Sequence, residues 1–266
     1  MRNYKYKPAS HNENRMKHEG DVAKARAYYF SDAPLNLKYL LEKRFSWMNN
    51  FIHHDNTGIE VGCGTGLSKL FIKCRDYSIT DYANNEWLDT KMVDALNTPY
   101  SDNSLDFVVS SNMIHHVPYP TKFFKEMYRI LKPGGVVIIQ EINASWCMRR
   151  ILKLMRHEGY DFTIDVFDEN LICTDPDDLW SANCGIPNLL FDDKEKFKKH
   201  IPFFDIVHTG YSELFLFLNS GGVIAKTKCI RLPKFLLKLV NGIDNLLVKI
   251  SPSTFALQRQ IVLKKI

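Results

Sequence analysis

Three closely spaced glycines follow a short apolar run and form the strongest chemical signal in the chain. The stretch is Gly58-Ile59-Glu60-Val61-Gly62-Cys63-Gly64-Thr65-Gly66. Glycine permits positive φ and lets a ligand approach the backbone, and open α/β sheets bind nucleotides in loops at the carboxyl ends of their strands. The alternative is a tight strand-to-helix turn that binds nothing.

The spacing of the glycines argues against a dinucleotide as the ligand. Dinucleotide sites use G-x-G-x-x-G, which seats the pyrophosphate at a helix N-terminus, whereas Gly62, Gly64 and Gly66 give G-x-G-x-G. Glu60 also lies in the strand just before the loop. A carboxylate there would repel pyrophosphate, and it would suit a ligand that carries an ammonium and a sulfonium group.

Two further acidic residues follow the loop at spacings that suit a nucleoside. Asp81 comes 21 residues after Glu60, near the spacing at which a carboxylate accepts hydrogen bonds from ribose hydroxyls. Asp94 could accept the adenine amino group while the backbone N–H of Ala95 approaches the ring. Each acid alone is typical of a turn or cap, but their order after the glycine loop favours a nucleoside site.

The same residues resemble the motifs of the class I S-adenosylmethionine (SAM)-dependent methyltransferases. Residues 60–66 are similar to their motif I, Asp81 to their ribose acid and Asp94-Ala95 to their adenine contact. Residues 99–106 and 131–135 resemble the segments before their fourth and fifth strands. The likeness covers about residues 55 to 145 and is strongest for the subgroup called methyltransferase type 11. It implies SAM as the cofactor and S-adenosylhomocysteine as the product. The remaining predicted cofactor contacts are Cys63, Tyr82 and Ser111.

Candidate acceptor-side residues follow the fourth and fifth predicted strands. His115 or His116 could take the proton of an acceptor hydroxyl, since the histidine pKa lies near neutrality. Adjacent residues in an extended loop point in opposite directions, so we expect at most one to face the acceptor. Glu141 ends the fifth strand and could orient the hydroxyl. The alternative is that all three only shape or cap their loops. We predict no metal ligands.

Two other pairs combine a histidine with a glutamate. His18 and Glu19 are candidates on an N-terminal lid, and His157 and Glu158 on a substrate flap.

Alternating strand and helix patterns must position these residues. They predict an α/β fold with an open parallel sheet covered by helices on both faces. The resemblance implies a Rossmann-like, seven-stranded, mostly parallel sheet with a late antiparallel hairpin. Predicted strands are Gly58–Val61, Tyr77–Thr80, Leu105–Ser110, Val136–Ile142, Phe203–Tyr211 and Gln260–Lys264; a helix is predicted at about Pro120 to Leu131, before the turn 132–135.

The predicted organisation has two parts. Residues 1–54 are an N-terminal helical lid or cap, with a helical stretch over roughly 21–50. Residues 55–266 are the SAM-binding domain, with substrate-side insertions at about 143–200 and 212–257.

An amphipathic segment lies in the second insertion, at Pro233–Ile250. We expect its apolar face to cover the sheet, or alternatively to lie on an anionic membrane with Lys234, Lys238 and Lys249 near the headgroups. The apolar face consists of Leu236, Leu239, Val240, Ile243, Leu247 and Ile250.

Composition limits the remaining alternatives. The 266 residues carry a net charge of +5 with 45% apolar residues, typical of a globular protein. The six cysteines lack zinc-site spacing, and the polar start is unlike a signal peptide. These features predict a cytoplasmic protein with reduced thiols, in weak peripheral contact with a membrane if the amphipathic face binds lipid. The scattered Lys and Arg residues, and the absence of Asn/Asp-Pro-Pro-Tyr/Phe after the fourth strand, predict no nucleic-acid partner.

Two acceptor classes and one non-enzymatic role remain open. Residues 218–223 weakly resemble methyltransferases of surface-polysaccharide synthesis, which favours O-methylation of a saccharide or glycan hydroxyl. The alternative acceptor is an apolar small molecule such as a quinone or lipid. A non-catalytic nucleotide-binding module is the third hypothesis.

Overall fold

A computed structural model describes residues 4–7, 21–156, 158–178, 181–224 and 227–266. In these ranges one seven-stranded sheet has the order β4-β3-β2-β5-β6-β9-β8. A separate two-stranded sheet pairs β1 antiparallel with β7. The strands are β1 Lys5–Tyr6, β2 Thr57–Val61, β3 Asp76–Asp81, β4 Thr90–Lys91, β5 Leu105–Ser111, β6 Leu131–Ile142, β7 Tyr160–Asp161, β8 Phe204–Ser212 and β9 Gln258–Lys265.

The seven-stranded sheet is parallel from β4 through β6 and ends in an antiparallel hairpin. Strand β2 pairs in parallel with both β3 and β5, and β6 continues the parallel part beside β5. Strand β9 runs antiparallel to both β6 and β8. The carboxyl ends of β2, β3, β5 and β6 therefore share one edge, where ligands bind in folds of this type. This confirms the predicted fold class.

Helices connect and cover the strands. The α-helices are α1 Val22–Ser31, α2 Leu35–Ser46, α3 Pro120–Ile130, α4 Trp146–Met155, α5 Ile186–Phe191, α6 Lys194–His200, α7 Phe215–Leu218, α8 Lys234–Ile250 and α9 Pro252–Phe255; single 3₁₀ turns occupy Trp47–Asn50, Leu67–Leu70 and Ile114–His116.

After the glycine loop the chain forms only the 3₁₀ turn Leu67–Leu70. Beyond this turn, backbone groups bond to a distant side chain instead of continuing a helix. The Asn49 side chain donates to the Phe71 carbonyl (2.9 Å) and accepts from the Lys73 N–H (2.7 Å). The predicted turn at residues 132–135 also differs, since it lies inside β6 as an irregularity in the pairing with β5.

Two apolar cores cover the two faces of the sheet. Helices α1 and α2 supply Tyr29, Leu37 and Phe45 to one core, together with β2–β3 loop residues and Phe107 of β5. The first insertion supplies α5 and α6 to the other core, which also holds Phe123 and Phe124 of α3. Residues 21–54 are thus integrated with the sheet, while their role as a lid stays a prediction.

Only part of the expected apolar face of α8 packs against the protein, since Val240 and Leu247 contact buried clusters. Leu239, Ile243 and Ile250 are 60%, 43% and 68% exposed. The helix also packs through Leu237 and Asp244, because Leu237 contacts the cluster with Leu40 of α2 and the Asp244 carboxylate caps the start of α7. None of the described helices is long and apolar enough to cross a bilayer.

Candidate active site

The glycine loop leaves the carboxyl end of β2 in a left-handed conformation. Gly62, Gly64 and Gly66 have φ values of 64°, 52° and 62°, which side-chain-bearing residues adopt rarely. A Cβ at Gly62 would lie 2.3 Å from Cγ of Met113, and one at Gly66 would lie 2.6 Å from Cδ1 of Ile79. At Gly64 the nearest atom would be 3.8 Å away, on Val22. The loop is therefore held tightly on two sides and has room beside Gly64.

Asp81 ends β3 and ties that strand to the glycine loop. Its Oδ2 accepts a hydrogen bond from the Gly64 N–H at 2.8 Å, and its Oδ1 accepts one from the Ala83 N–H at 2.9 Å. The side chain is half-buried. A carboxylate at this strand end, beside a loop of backbone N–H groups, has the placement that binding ribose hydroxyls requires.

Glu60 is enclosed beneath the loop. It is 1% exposed and accepts hydrogen bonds from the Ser68 and Tyr77 hydroxyls. Burial raises the pKa of Glu60 to about 8, although the two hydroxyls oppose this shift. At neutral pH the unliganded protein therefore holds Glu60 mostly as the neutral acid, and the expected repulsion of pyrophosphate applies only to its ionised form.

The other predicted cofactor residues surround Asp81 and the loop. The Val93 N–H donates to the Asp81 carbonyl at 2.9 Å, which brings the Asp94-Ala95 segment beside the end of β3. Asp94 is exposed and its Oδ1 accepts from the Leu96 N–H at 2.8 Å. Tyr82 is 50% exposed. Cys63 and Ser111 are half-buried at the ends of β2 and β5, and burial raises the pKa of the Cys63 thiol.

Two residues that the sequence did not identify donate hydrogen bonds to backbone carbonyls of the glycine loop. Arg26 of α1 donates to the Thr65 carbonyl at 2.7 Å, and Trp87 donates its indole N–H to the Gly64 carbonyl at 3.0 Å. The Arg26 guanidinium also lies 5.3 Å from the Trp87 ring centroid. Helix α1 is thereby anchored on the glycine loop. No sequence motif marks these two residues, because their contacts are with backbone carbonyls.

His115 and His116 lie together in the 3₁₀ turn after β5. Their ring centroids are 4.2 Å apart. The expectation that they point in opposite directions is wrong, because a turn rather than an extended loop carries them. Met113, which precedes the turn, packs against Gly62, so the segment that carries the histidines begins beside the glycine loop.

Glu141 is completely buried and organises His115. Its Oε1 lies 2.6 Å from Nδ1 of His115, and its two oxygens accept the backbone N–H groups of Ile114 and Ile142 at 2.8 and 2.7 Å. Because a carboxylate only accepts, Nδ1 of His115 carries the hydrogen. The geometry therefore fits a positioning group for His115 better than direct contact with an acceptor.

Glu158 faces both histidines from the first insertion. Its Oε2 lies 3.4 Å from Nε2 of His115, and its Oε1 lies 3.9 Å from Nε2 of His116. The sequence suggested Glu158 only as a flap residue, yet its side chain is 11% exposed. His18, Glu19 and His157 lie outside the described residues.

The two histidines have opposite pKa shifts. Burial lowers the pKa of His115, but the charges of Glu141 and Glu158 outweigh it and the net shift is upward. Burial and the neighbouring His115 lower the pKa of His116. The Nδ1 of His116 lies 3.0 Å from the Ser181 carbonyl, which only accepts, so neutral His116 carries its lone pair on Nε2.

The strand order, the glycine loop and the acid ending β3 define the fold of the class I SAM-dependent methyltransferases. A solved SAM-dependent methyltransferase from Archaeoglobus fulgidus shares the fold with a TM-score of 0.51 and 14% identity, over 86% of this chain and 94% of that one. Residues 59–139 match the family model described as a methyltransferase domain. Residues 59–139 are therefore similar to a methyltransferase domain.

Two curated relatives match at lower coverage. The probable tRNA methyltransferase 9B of Homo sapiens is 31% identical over 137 residues, which are 46% of this chain and 28% of that protein. The demethylmenaquinone methyltransferase of Staphylococcus haemolyticus is 28% identical over 134 residues, 50% of this chain and 51% of that protein. The chain thus spans between about a quarter and half of the length of these relatives.

Proposed function

We propose that the protein is a SAM-dependent O-methyltransferase acting on a hydroxyl of a saccharide or glycan. One observation carries the proposal: the glycine loop with Asp81 contacts Met113, and the turn after Met113 holds a buried histidine pair that includes a neutral imidazole. The first half suits the nucleoside of SAM, and the second suits the removal of a hydroxyl proton.

The residues at the loop fit SAM. Gly62, Gly64 and Gly66 would hold it by close backbone approach, Asp81 would accept its ribose hydroxyls, and the Asp94-Ala95 segment would contact adenine. When bound, SAM supplies an electrophilic methyl group on sulfur. Because the transfer is an in-line displacement, alignment of donor and acceptor by the protein can lower the barrier by about 7–11 kcal/mol.

His116 is the candidate base. Its tautomer is fixed by the Ser181 carbonyl, its Nε2 lone pair is on the side of Glu158, and its side chain is 21% exposed, against 4% for His115. His115 is held by Glu141 and is the less accessible of the two. His116 would accept the hydroxyl proton as the oxygen attacks the methyl carbon.

An apolar small molecule is the second candidate acceptor. Similarity to a demethylmenaquinone methyltransferase favours it, whereas the saccharide rests on the likeness of residues 218–223 and on a site equipped to deprotonate a hydroxyl. Similarity to a probable tRNA methyltransferase makes RNA the third pool to test, against our expectation of no nucleic-acid partner.

A tritiated-methyl transfer screen tests the acceptor. Labelled SAM is incubated with the protein and with cell extract fractionated into glycan, lipid and nucleic-acid pools. We expect label in the glycan or glycolipid pool. Label confined to quinones or lipids that carry no sugar would support the second candidate. Label confined to RNA would refute the saccharide proposal.

We further propose that α8 contacts an anionic membrane surface weakly, which would suit a lipid-linked acceptor. An exposed apolar stripe runs along the helix, flanked by exposed Lys234, Lys238 and Lys249. The helix's one acidic residue, Asp244, is 1% exposed and faces inward, so it does not oppose anionic headgroups. The stripe consists of Phe235, Leu239, Ile243, Leu246 and Ile250.

Liposome flotation tests this contact. The protein should float with anionic vesicles at low salt and be released at high salt, because each lysine near the surface contributes about 1 kcal/mol of screened attraction. The double variant Phe235→Ser/Leu239→Ser should float less, while Leu154→Ser, at a more exposed apolar site on α4, is the control for an apolar residue away from α8. The proposal would be contradicted if the wild-type protein did not float with anionic vesicles at low salt. It would also be contradicted if the protein floated equally well with neutral vesicles at low and at high salt.

A further inference from the structure

The cluster of His115, His116 and Glu158 has the donor set of a metal centre. One ligand atom from each residue lies within 4.8 Å of the other two. Two imidazole nitrogens and one carboxylate oxygen are ligands that zinc and other divalent transition ions accept. The three side chains come from two separate segments, the turn after β5 and the first insertion, and converge on one point.

Hydrogen bonds on the far side of each ring orient both histidines toward that point. Nδ1 of His115 is held by Glu141, and Nδ1 of His116 is held by the Ser181 carbonyl. This leaves the Nε2 atoms facing Glu158. Metal-binding histidines characteristically donate the other ring N–H to a carboxylate or backbone carbonyl, which fixes tautomer and ring orientation. Both partner types are present here.

The separations also fit a shared ion. The Nε2–O distances of 3.4 and 3.9 Å exceed those of ordinary hydrogen bonds. Around a tetrahedral ion with bonds of about 2.0–2.2 Å, ligand atoms lie roughly 3.3–3.6 Å apart. The two distances are to different oxygens, Oε2 for His115 and Oε1 for His116, and with all three ligand atoms within 4.8 Å of one another the side chains would need to contract around the ion.

We propose that His115, His116 and Glu158 bind a divalent transition-metal ion of the zinc type, with Glu141 as the positioning residue for His115. Three protein ligands leave a fourth position open, as catalytic zinc sites do. The cluster follows Met113, which packs against Gly62 of the glycine loop. Nε2 of His116 cannot hold an ion and accept a proton at the same time, so metal binding at this cluster is an alternative to the general-base role proposed for His116.

Metal binding is tested directly on the full chain after treatment with a chelator. Titration with Co²⁺, followed by visible absorption, and with Zn²⁺, followed by calorimetry, should show one ion per chain. The His116→Ala and Glu158→Gln variants should lose this site. The Glu141→Gln variant should bind about 10- to 100-fold more weakly, as expected when the partner of a ligand is removed.

The matched control is His54→Ala, which removes a histidine whose side chain is 73% exposed and lies outside the cluster. It should bind like wild type, and thermal melts of the metal-free proteins check that each variant is folded. Wild-type protein that takes up neither ion would overturn the proposal. So would undiminished binding by either folded ligand variant, since the second variant remains informative if the first fails to fold.

Discussion

Replacing Asp81 by alanine is expected to weaken SAM binding by about 10- to 150-fold. The carboxylate is predicted to accept charged hydrogen bonds from the ribose, and one such bond is worth about 1.5–3 kcal/mol. The same change removes the acceptor of the Gly64 and Ala83 N–H groups, so loosening of the loop adds to the loss. Calorimetric titration with SAM measures the effect.

Two matched variants separate ligand contact from a general loss of charge. Asp81→Asn keeps one oxygen that can accept from the loop, and it should bind with intermediate affinity. Asp76→Asn changes an exposed carboxylate at the other end of β3, where it contacts the Thr57 hydroxyl, and should bind SAM like wild type. An unchanged SAM affinity in folded Asp81→Ala would refute the assignment of this residue.

Replacing His116 by alanine is expected to lower kcat by about 10²- to 10⁴-fold, the usual cost of losing a general base. SAM affinity should stay nearly unchanged, because the predicted nucleoside contacts are at β2, β3 and the Asp94 segment. Turnover with the acceptor from the labelling screen gives kcat, and equilibrium titration gives the SAM affinity of the same preparation.

The His115→Ala variant and the exposed-site variant His54→Ala complete the comparison. His115→Ala should also be slower, through loss of the ring that packs beside His116 at 4.2 Å. His54→Ala should keep wild-type turnover. If both cluster variants turn over at the wild-type rate, neither histidine takes the proton, and an acceptor that needs no base becomes the better hypothesis.

Local patterns in the sequence were sufficient to predict the sheet and the loop. Apolar runs mark buried parallel strands, and the motif from Glu60 to Gly66 marks the end of the first of them. These features are local in sequence or recur at fixed spacing, so a single chain displays them. The structure places the Asp81 carboxylate on the Gly64 N–H, a contact that the sequence did not predict, while its contact with a ribose stays a prediction.

Features that depend on distant packing were not predictable in the same way. Glu60 was expected as a charged group, but burial raises its pKa to about 8, although the hydrogen bonds from the Ser68 and Tyr77 hydroxyls lower it. Glu158 joins the histidines only because the first insertion folds back over the turn after β5. The apolar periodicity of α8 allowed its one apolar face to cover the sheet or to lie on a membrane, and it did not reveal that Asp244 is buried as the cap of α7.

Titration of the wild-type protein with SAM, S-adenosylhomocysteine and NAD tests the central claim most directly, namely that the glycine loop and Asp81 form a SAM site. The G-x-G-x-G spacing and the placement of Asp81 predict one site per chain for SAM and for S-adenosylhomocysteine, and no measurable binding of NAD under the same conditions. Binding of NAD with no binding of SAM or S-adenosylhomocysteine would contradict the account. It would identify the loop as a dinucleotide site instead.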